Sequence, residues 1–105
     1  MITYISGKIT GYDLKFARDK FHATSLLLIQ AGRTPINPFD LSVYHPDKTW
    51  DDYMLDDIRG LFKCESIVMH SDWEQSKGAR IEHFIAQELG LEILTETELN
   101  ELTNK

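Results

Sequence analysis

The stretch Ile2-Thr3-Tyr4-Ile5-Ser6-Gly7-Lys8-Ile9-Thr10-Gly11-Tyr12-Asp13 decides the fold. Residues 2–6 predict a β-strand that runs into a glycine-containing loop over residues 7–11, and Asp13 suits the N-cap of a helix. Mostly apolar side chains then recur every three or four residues and form one helical face: Leu14, Ala17, Phe21, Thr24 and Leu28. Gly32 follows as the C′ glycine that ends this helix.

Short strands continue to alternate with helices after this opening. An extended piece over 34–38 leads to a proline-punctuated loop, a helix from about Trp50 to Lys63 and a buried strand over 66–70. A loop over 71–76 leads to a helix from Lys77-Gly78 to Leu89-Gly90, a strand over 91–94 and a terminal helix over 95–102. This alternation predicts an α/β protein whose parallel sheet is covered on both faces. The 105 residues fit one domain, residues 1–105.

The composition narrows the function classes. With 17 acidic and 11 basic residues the net charge is −6, which is a poor basis for gripping duplex nucleic acid. No basic leader precedes the first strand, and no apolar run approaches the roughly 20 residues of a membrane span. We therefore expect a cytoplasmic protein without membrane contact. A domain of this size often gains stability by pairing, so we also expect a homo-oligomer.

Glu82 lies on the wrong face of its predicted helix. At about 100° per residue, the apolar side chains from Ala79 to Leu89 fall in one arc about 160° wide. Glu82 lies inside that arc, about 20° from Leu89 and about 40° from Ala86. An isolated buried carboxylate is costly to keep ionised, so it normally has partners or a purpose.

Asp57 lies at the edge of the apolar arc of the preceding helix, about 20° from Trp50, whereas Asp56 lies in the polar arc. The sequence thus offers two inward-facing carboxylates from neighbouring helices. One interpretation is that each only caps a helix or forms a salt bridge. The other is a glycosyl-transfer pair, in which one carboxylate attacks an anomeric carbon and the other manages a proton.

Ligands of open parallel sheets bind beyond the carboxyl ends of the strands, where the loops 7–12, 38–49 and 71–77 lie. Backbone N–H groups around Gly7, Lys8, Thr10 and Gly11 could hold a phosphate. Ser76 opens the helix that carries Glu82, either as a plain N-cap or as a cap that also touches ligand. Neither the lone Cys64 nor the four histidines show metal-ligand spacing, so we expect neither metal nor cofactor.

The opening Tyr4-Ile5-Ser6-Gly7-Lys8-Ile9-Thr10-Gly11 resembles that of the nucleoside 2-deoxyribosyltransferase superfamily. Asn37-Pro38, Trp50 with Met54, and the stretch from Asp72 to Glu82, in which Ser76-x-Gly78-Ala79-x-x-Glu82 is the most specific piece, continue the resemblance. It covers about residues 2–94 and is strongest to a small phage and bacterial branch called a domain of unknown function (4406). The resemblance implies a flavodoxin-like (Rossmann-like) three-layer sandwich with a central parallel sheet of four to five strands.

The resemblance also implies site roles. Glu82 maps to a nucleophile, and Asp57 maps to an aspartate that positions the substrate and assists proton transfer. Ser76 matches a serine of relatives that hydrolyse deoxynucleoside 5′-monophosphates. The substrate-binding set that it suggests is Tyr4, Gly7, Lys8, Ile9, Thr10, Gly11, Ser76 and Gly78.

These roles predict N-glycosidic cleavage or 2-deoxyribosyl transfer on a deoxynucleoside or its 5′-monophosphate, without a cofactor. Two alternatives remain open. The first is a nucleotide-binding or sensing module that has lost turnover. The second is an interaction domain that uses Trp50, Trp73, Tyr44 and Tyr53 as surface anchors.

Overall fold

A computed structural model of the chain describes residues 1–42 and 45–104. Its strands are β1 (Ile2–Ser6), β2 (Thr34–Ile36), β3 (Ser66–Met69) and β4 (Glu92–Thr95). Its α-helices are α1 (Leu14–Gln30), α2 (Pro38–Leu41), α3 (Trp50–Leu61), α4 (Lys77–Leu89) and α5 (Glu96–Thr103), and a 3₁₀ turn covers Trp73–Gln75.

The strands form one parallel sheet in the order β2-β1-β3-β4. Tyr4 is paired with Ile36 on one side and with Ile67 on the other, so β1 and β3 form the centre. From β1 the chain first moves outward to β2. It then returns across β1 to β3 and continues in that direction to β4. The point where the connections diverge, between β1 and β3, is where such sheets hold their ligands.

Alternation along the central strands divides the core between two faces. Tyr4 and Ile67 face one way and pack with side chains of α3 and α4, whereas Ile5 and Val68 face the other way and pack with α1 and α5. The first cluster contains Tyr4, Leu61, Cys64, Ile67, Met69, Ala79 and Ala86, and the second contains Ile5, Phe21, Leu28, Val68, Leu94 and Leu99. Helices thus cover both faces of the parallel sheet, which confirms the predicted three-layer α/β fold with four strands.

The structure differs from the predicted elements in a few places. The short helix α2 lies inside the segment predicted as a loop, where Asn37 caps it and Pro38 occupies its first turn. Helix α3 ends at Leu61, two residues before Lys63, and β4 ends at Thr95, one residue later than predicted. Thr95 closes β4 and also caps α5, where it forms a capping box with Glu98.

Two further findings concern the single cysteine and the length of the helices. Cys64 is buried, and burial raises the pKa of its thiol to about 11. Among the helices in residues 1–42 and 45–104, none is long and apolar enough to cross a bilayer.

Candidate functional site

A cavity of about 730 Å³ opens at the carboxyl end of the sheet, beside the point where the connections from β1 diverge. Segments that follow β1, β2 and β3 line it together with parts of α1, α3 and α4. Predicted site residues at its wall are Tyr4, Gly7, Ile9, Thr10, Asp57, Ser76, Gly78 and Glu82. Its volume lies within the usual range for small-molecule sites.

Glu82 is held by two hydroxyl groups at the wall of this cavity. Its side chain is only 5% exposed, and the Tyr4 hydroxyl donates to Oε2 at 2.5 Å while the Ser6 hydroxyl donates to Oε1 at 2.7 Å. Tyr4 and Ser6 are two apart in β1 and therefore face the same side, toward α4. Ser6 was not predicted as a site residue, although this alternation was visible in the sequence. Each carboxylate oxygen thus has one fixed donor.

The two carboxyl groups of the cavity have raised pKa values for partly different reasons. Burial raises the pKa of Glu82 to about 7, against the hydrogen bonds from Tyr4 and Ser6, which lower it. Burial, and then the negative charges of Glu82 and Asp56, raise the pKa of Asp57 to about 8. Desolvation disfavours the charged form of each acid, and a neighbouring carboxylate adds to that effect.

These differences assign the proton of the pair. Asp57 is less buried than Glu82, yet its pKa is the higher one, because Glu82 accepts two hydrogen bonds that stabilise its ionised form. Within residues 1–42 and 45–104, Asp57 accepts no such bond. Near neutral pH the first proton therefore leaves Glu82, and Asp57 keeps its own, as expected for two interacting acids. The cavity then contains one carboxylate and one carboxylic acid.

Asp56, the neighbour of Asp57 in sequence, has a separate role. It accepts a hydrogen bond from the Ser42 hydroxyl at 2.7 Å and pairs with Lys48 at 2.9 Å, and these contacts lower the pKa of its carboxyl. It does not line the cavity. The helical periodicity correctly separated these two adjacent aspartates.

The loop after β1 contributes only part of its predicted phosphate-binding set. Gly7, Ile9 and Thr10 line the cavity, whereas Lys8 and Gly11 are not among the lining residues. The Lys8 ammonium lies over the ring of Tyr12, 4.9 Å from its centroid. Gly11 is exposed, and its φ of +96° is one that residues with a side chain rarely adopt.

Gly7 is required by a close approach of His70. A Cβ atom at position 7 would lie 2.3 Å from Nδ1 of His70. The Thr24 hydroxyl donates to the Lys20 carbonyl, so the Nε2–H of His70 donates to Thr24 Oγ1 at 2.8 Å, and Nδ1 carries the lone pair. Burial, aided by the charge of Lys20, lowers the pKa of His70 to about 4. Nδ1 of His70 is buried and accepts no hydrogen bond from the residues that the structure describes, and its position against Gly7 sets the shape of the loop.

The first turn of α4 forms another part of the wall. The Ser76 hydroxyl caps the helix by accepting the Ala79 N–H at 3.1 Å, and Ser76 also lines the cavity. A Cβ atom at Gly78 would lie 3.1 Å from the sulfur of Met54, so glycine lets α4 approach α3 closely. The Lys77 ammonium lies 4.8 Å from the centroid of Trp50, which also lines the cavity.

On the other side of the sheet, α1 and α2 supply a wall that the sequence did not reveal. Arg18 and Phe39 line the cavity, and the guanidinium lies 5.5 Å from the centroid of the Phe39 ring. The Phe39 ring in turn meets Phe21 edge to face. Arg18 belongs to the polar face of α1, and no local pattern distinguishes it from other surface arginines.

The aromatic residues considered as surface anchors lie in different settings. Trp50 and Tyr53 line the cavity, whereas Trp73 stacks on His83 with ring centroids 4.2 Å apart. Tyr44 lies outside the described residues. In the part of the chain that the structure describes, no three His, Cys, Asp or Glu side chains are grouped to hold a metal ion.

Comparison with known proteins identifies the family. The family model described as "Domain of unknown function (DUF4406)" matches residues 1–95 of the chain. No curated protein matches the chain. The chain therefore belongs to the DUF4406 family.

Proposed function

Membership of the DUF4406 family prescribes no activity, and from the cavity we propose that this chain cleaves or transfers an N-glycosidic bond. The substrate is a deoxynucleoside or a deoxynucleoside 5′-monophosphate, as in the nucleoside 2-deoxyribosyltransferase superfamily that the chain resembles. One observation carries the proposal: Glu82, fixed by two hydroxyl donors, shares a cavity wall with Asp57, whose pKa is raised to about 8. Glycosyl chemistry uses such a pair of one carboxylate and one carboxylic acid.

In the first step, a carboxylate oxygen of Glu82 attacks C1′ of the deoxyribose. The bond between C1′ and the base nitrogen breaks, and its electron pair goes to the base. Asp57 gives its proton to the leaving base and becomes a carboxylate. The sugar is then held to Glu82 as an ester.

In the second step, water or the nitrogen of an acceptor base attacks C1′ and the ester bond breaks. The Asp57 carboxylate removes the proton of the incoming group, and Glu82 leaves as a carboxylate. Hydrogen bonds from Tyr4 and Ser6 stabilise the departing negative charge. Both residues then have the protonation states with which they started.

The location of cations supports an anionic group on the substrate. Arg18 and Lys77 line the cavity from opposite sides of the sheet, and Ser76 adds a hydroxyl at the start of α4. Lys8, which the sequence favoured as a phosphate ligand, is replaced in this role by these residues because its ammonium lies over Tyr12. We assign a 5′-phosphate to this set together with the backbone of Thr10. Assembly into a homo-oligomer stays a prediction.

The proposal is tested by following base release chromatographically. The protein is incubated with the common deoxynucleosides and their 5′-monophosphates, with and without free bases as acceptors. Wild type and Glu82→Ala are compared with Glu88→Ala, which removes an exposed carboxylate from the same helix. We expect release by wild type and Glu88→Ala, and a loss of about 10³-fold or more in Glu82→Ala.

The outcomes separate the two functional classes. A mass increase of one deoxyribosyl group on Glu82 after rapid quenching would support the covalent step. Wild type that binds a monophosphate yet releases no base would overturn the proposal in favour of a binding module.

A further inference from the structure

Asp72 joins the loop after β1 to the segment after β3. Its carboxylate accepts three hydrogen bonds: from the backbone N–H of Lys8 at 3.1 Å, from the Tyr12 hydroxyl at 2.6 Å and from the Lys20 ammonium at 2.6 Å. The side chain of Asp72 is only 10% exposed. One carboxylate thus contacts the beginning of the loop, its end and the helix that follows it.

These contacts belong to an ionised Asp72. Burial raises the pKa of its carboxyl, but the hydrogen bonds from Lys20, Tyr12 and the Lys8 N–H together bring the pKa below its ordinary value. Hydrogen bonds to an ionised acceptor are stronger than neutral ones. The Lys20 ammonium also lies 5.5 Å from the centroid of the Tyr12 ring, so the donors contact one another as well as Asp72.

The part of the loop that faces the cavity lies between fixed points. Gly7 is packed against His70, and Tyr12 is bonded to Asp72. Ile9 and Thr10, which line the cavity, lie between these points. Both anchors come from residues 70–72, which follow β3 directly.

From this arrangement we infer that Asp72 is a positioning residue, which holds residues 8–12 as one wall of the cavity and thereby sets the affinity for the ligand. Asp72 does not line the cavity itself, so it acts through the loop. A wall that contacts substrate and transition state equally changes KM and leaves kcat unchanged. The identity of the ligand rests on the proposed function, whereas the restraint of the loop does not.

Hydrogen exchange followed by mass spectrometry tests the restraint without any ligand. We expect the amides of residues 8–12 to exchange about tenfold faster or more in Asp72→Asn than in wild type, because all three hydrogen bonds lose their ionised acceptor. Asp19→Asn is the matched control. It removes the ion pair between Asp19 and Lys15 on α1, in which both side chains are exposed. In the control, exchange of residues 8–12 should equal that of wild type.

Steady-state kinetics with whichever of dAMP, dGMP, dCMP and dTMP is cleaved fastest test the consequence for affinity. We expect KM to rise about tenfold in Asp72→Asn while kcat stays within about twofold. A loss of folded protein would give the opposite pattern, a lower apparent kcat at an unchanged KM. Tyr12→Phe removes only one of the three donors and should show the same pattern to a smaller extent. This second variant provides the test if Asp72→Asn folds poorly.

The results distinguish the failure of this inference from that of the proposed function. Unchanged exchange in residues 8–12, or a fall in kcat without a change in KM, overturns the positioning role even in an active enzyme. Faster exchange, with no base release from any deoxynucleoside or deoxynucleoside 5′-monophosphate in the presence or absence of an acceptor base, supports the restraint and refutes the proposed function alone.

Discussion

Replacing Glu82 with glutamine removes a negative charge from the cavity wall while keeping the shape of the side chain. The hydroxyls of Tyr4 and Ser6 can rotate to donate to the amide oxygen or accept from the amide nitrogen. The substitution therefore tests the cost of the charge more than the packing. It should abolish base release and stabilise the fold at the same time.

The stability gain follows from the pKa of Glu82, about 7 in the folded protein and ordinarily 4.5. Between these values the folded state binds more protons than the unfolded state, so the stability contributed by this group is present below pH 4.5 and lost as pH rises through 7. From pH 5 to pH 8 the wild-type protein loses about 2.5 kcal/mol through this group. Glutamine does not titrate, so Glu82→Gln avoids that loss.

Urea unfolding at pH 5 and at pH 8 measures the difference. The stability of Glu82→Gln relative to wild type should increase by about 2.5 kcal/mol between the two conditions, which corresponds to about 10–20 °C in Tm for a domain of this size. Glu88→Gln, an exposed neighbour on α4, supplies the comparison for a charge removed at the surface. If the difference between Glu82→Gln and wild type is the same at both pH values, Glu82 does not titrate as a buried acid and the reasoning fails.

Three further predictions concern the residues around Glu82. Because the reaction needs Glu82 ionised and Asp57 protonated, its rate should rise through about pH 7 and fall above about pH 8, and Asp57→Asn should remove the alkaline fall while slowing base release about 10²–10⁴-fold. Gly7→Ala should destabilise the fold by about 1–3 kcal/mol in urea unfolding, because the added Cβ meets His70. His70 has a lowered pKa of about 4 when folded, so wild type should lose about 2 kcal/mol more than His70→Gln between pH 7 and pH 5.

Each of these has its own contrary result. A pH–rate profile of Asp57→Asn that still falls above pH 8 would assign the alkaline limb to another group. A double-mutant cycle should show that alanine at position 7 costs less when His70 is replaced by glycine, which removes the Cβ as well as the ring, and simple additivity would contradict the contact. Parallel pH dependence of wild type and His70→Gln would mean that folding leaves the pKa of His70 unchanged.

Helical periodicity alone identifies Glu82 and Asp57 as inward-facing carboxylates, because the order of apolar and polar residues within α3 and α4 determines which face of each helix is buried. The same periodicity distinguishes Asp57 from Asp56, and strand alternation places Ser6 on the same face of β1 as Tyr4. Asn37 followed by Pro38 is likewise a start signal for α2, but a helix of only four residues is too short to show a helical periodicity.

What the sequence could not supply depends on contacts between distant segments. The backbone N–H of Lys8 donates to Asp72, 64 positions along the chain, and no spacing rule predicts such a pairing. Arg18 reaches the cavity because α1 packs against β1 and β2. Tertiary placement therefore decided which cations line the cavity.

Trp50 gives this protein a built-in optical reporter. The chain has two tryptophans, and of these Trp50 lines the cavity and is 42% exposed, whereas Trp73 is covered by the His83 ring. Indole emission moves to shorter wavelength when water leaves its surroundings, and a nearby ammonium such as that of Lys77 adds a further electrostatic influence. Occupancy of the cavity thus becomes visible as a change in intrinsic fluorescence from one side chain against a steady background from the other, with no label attached.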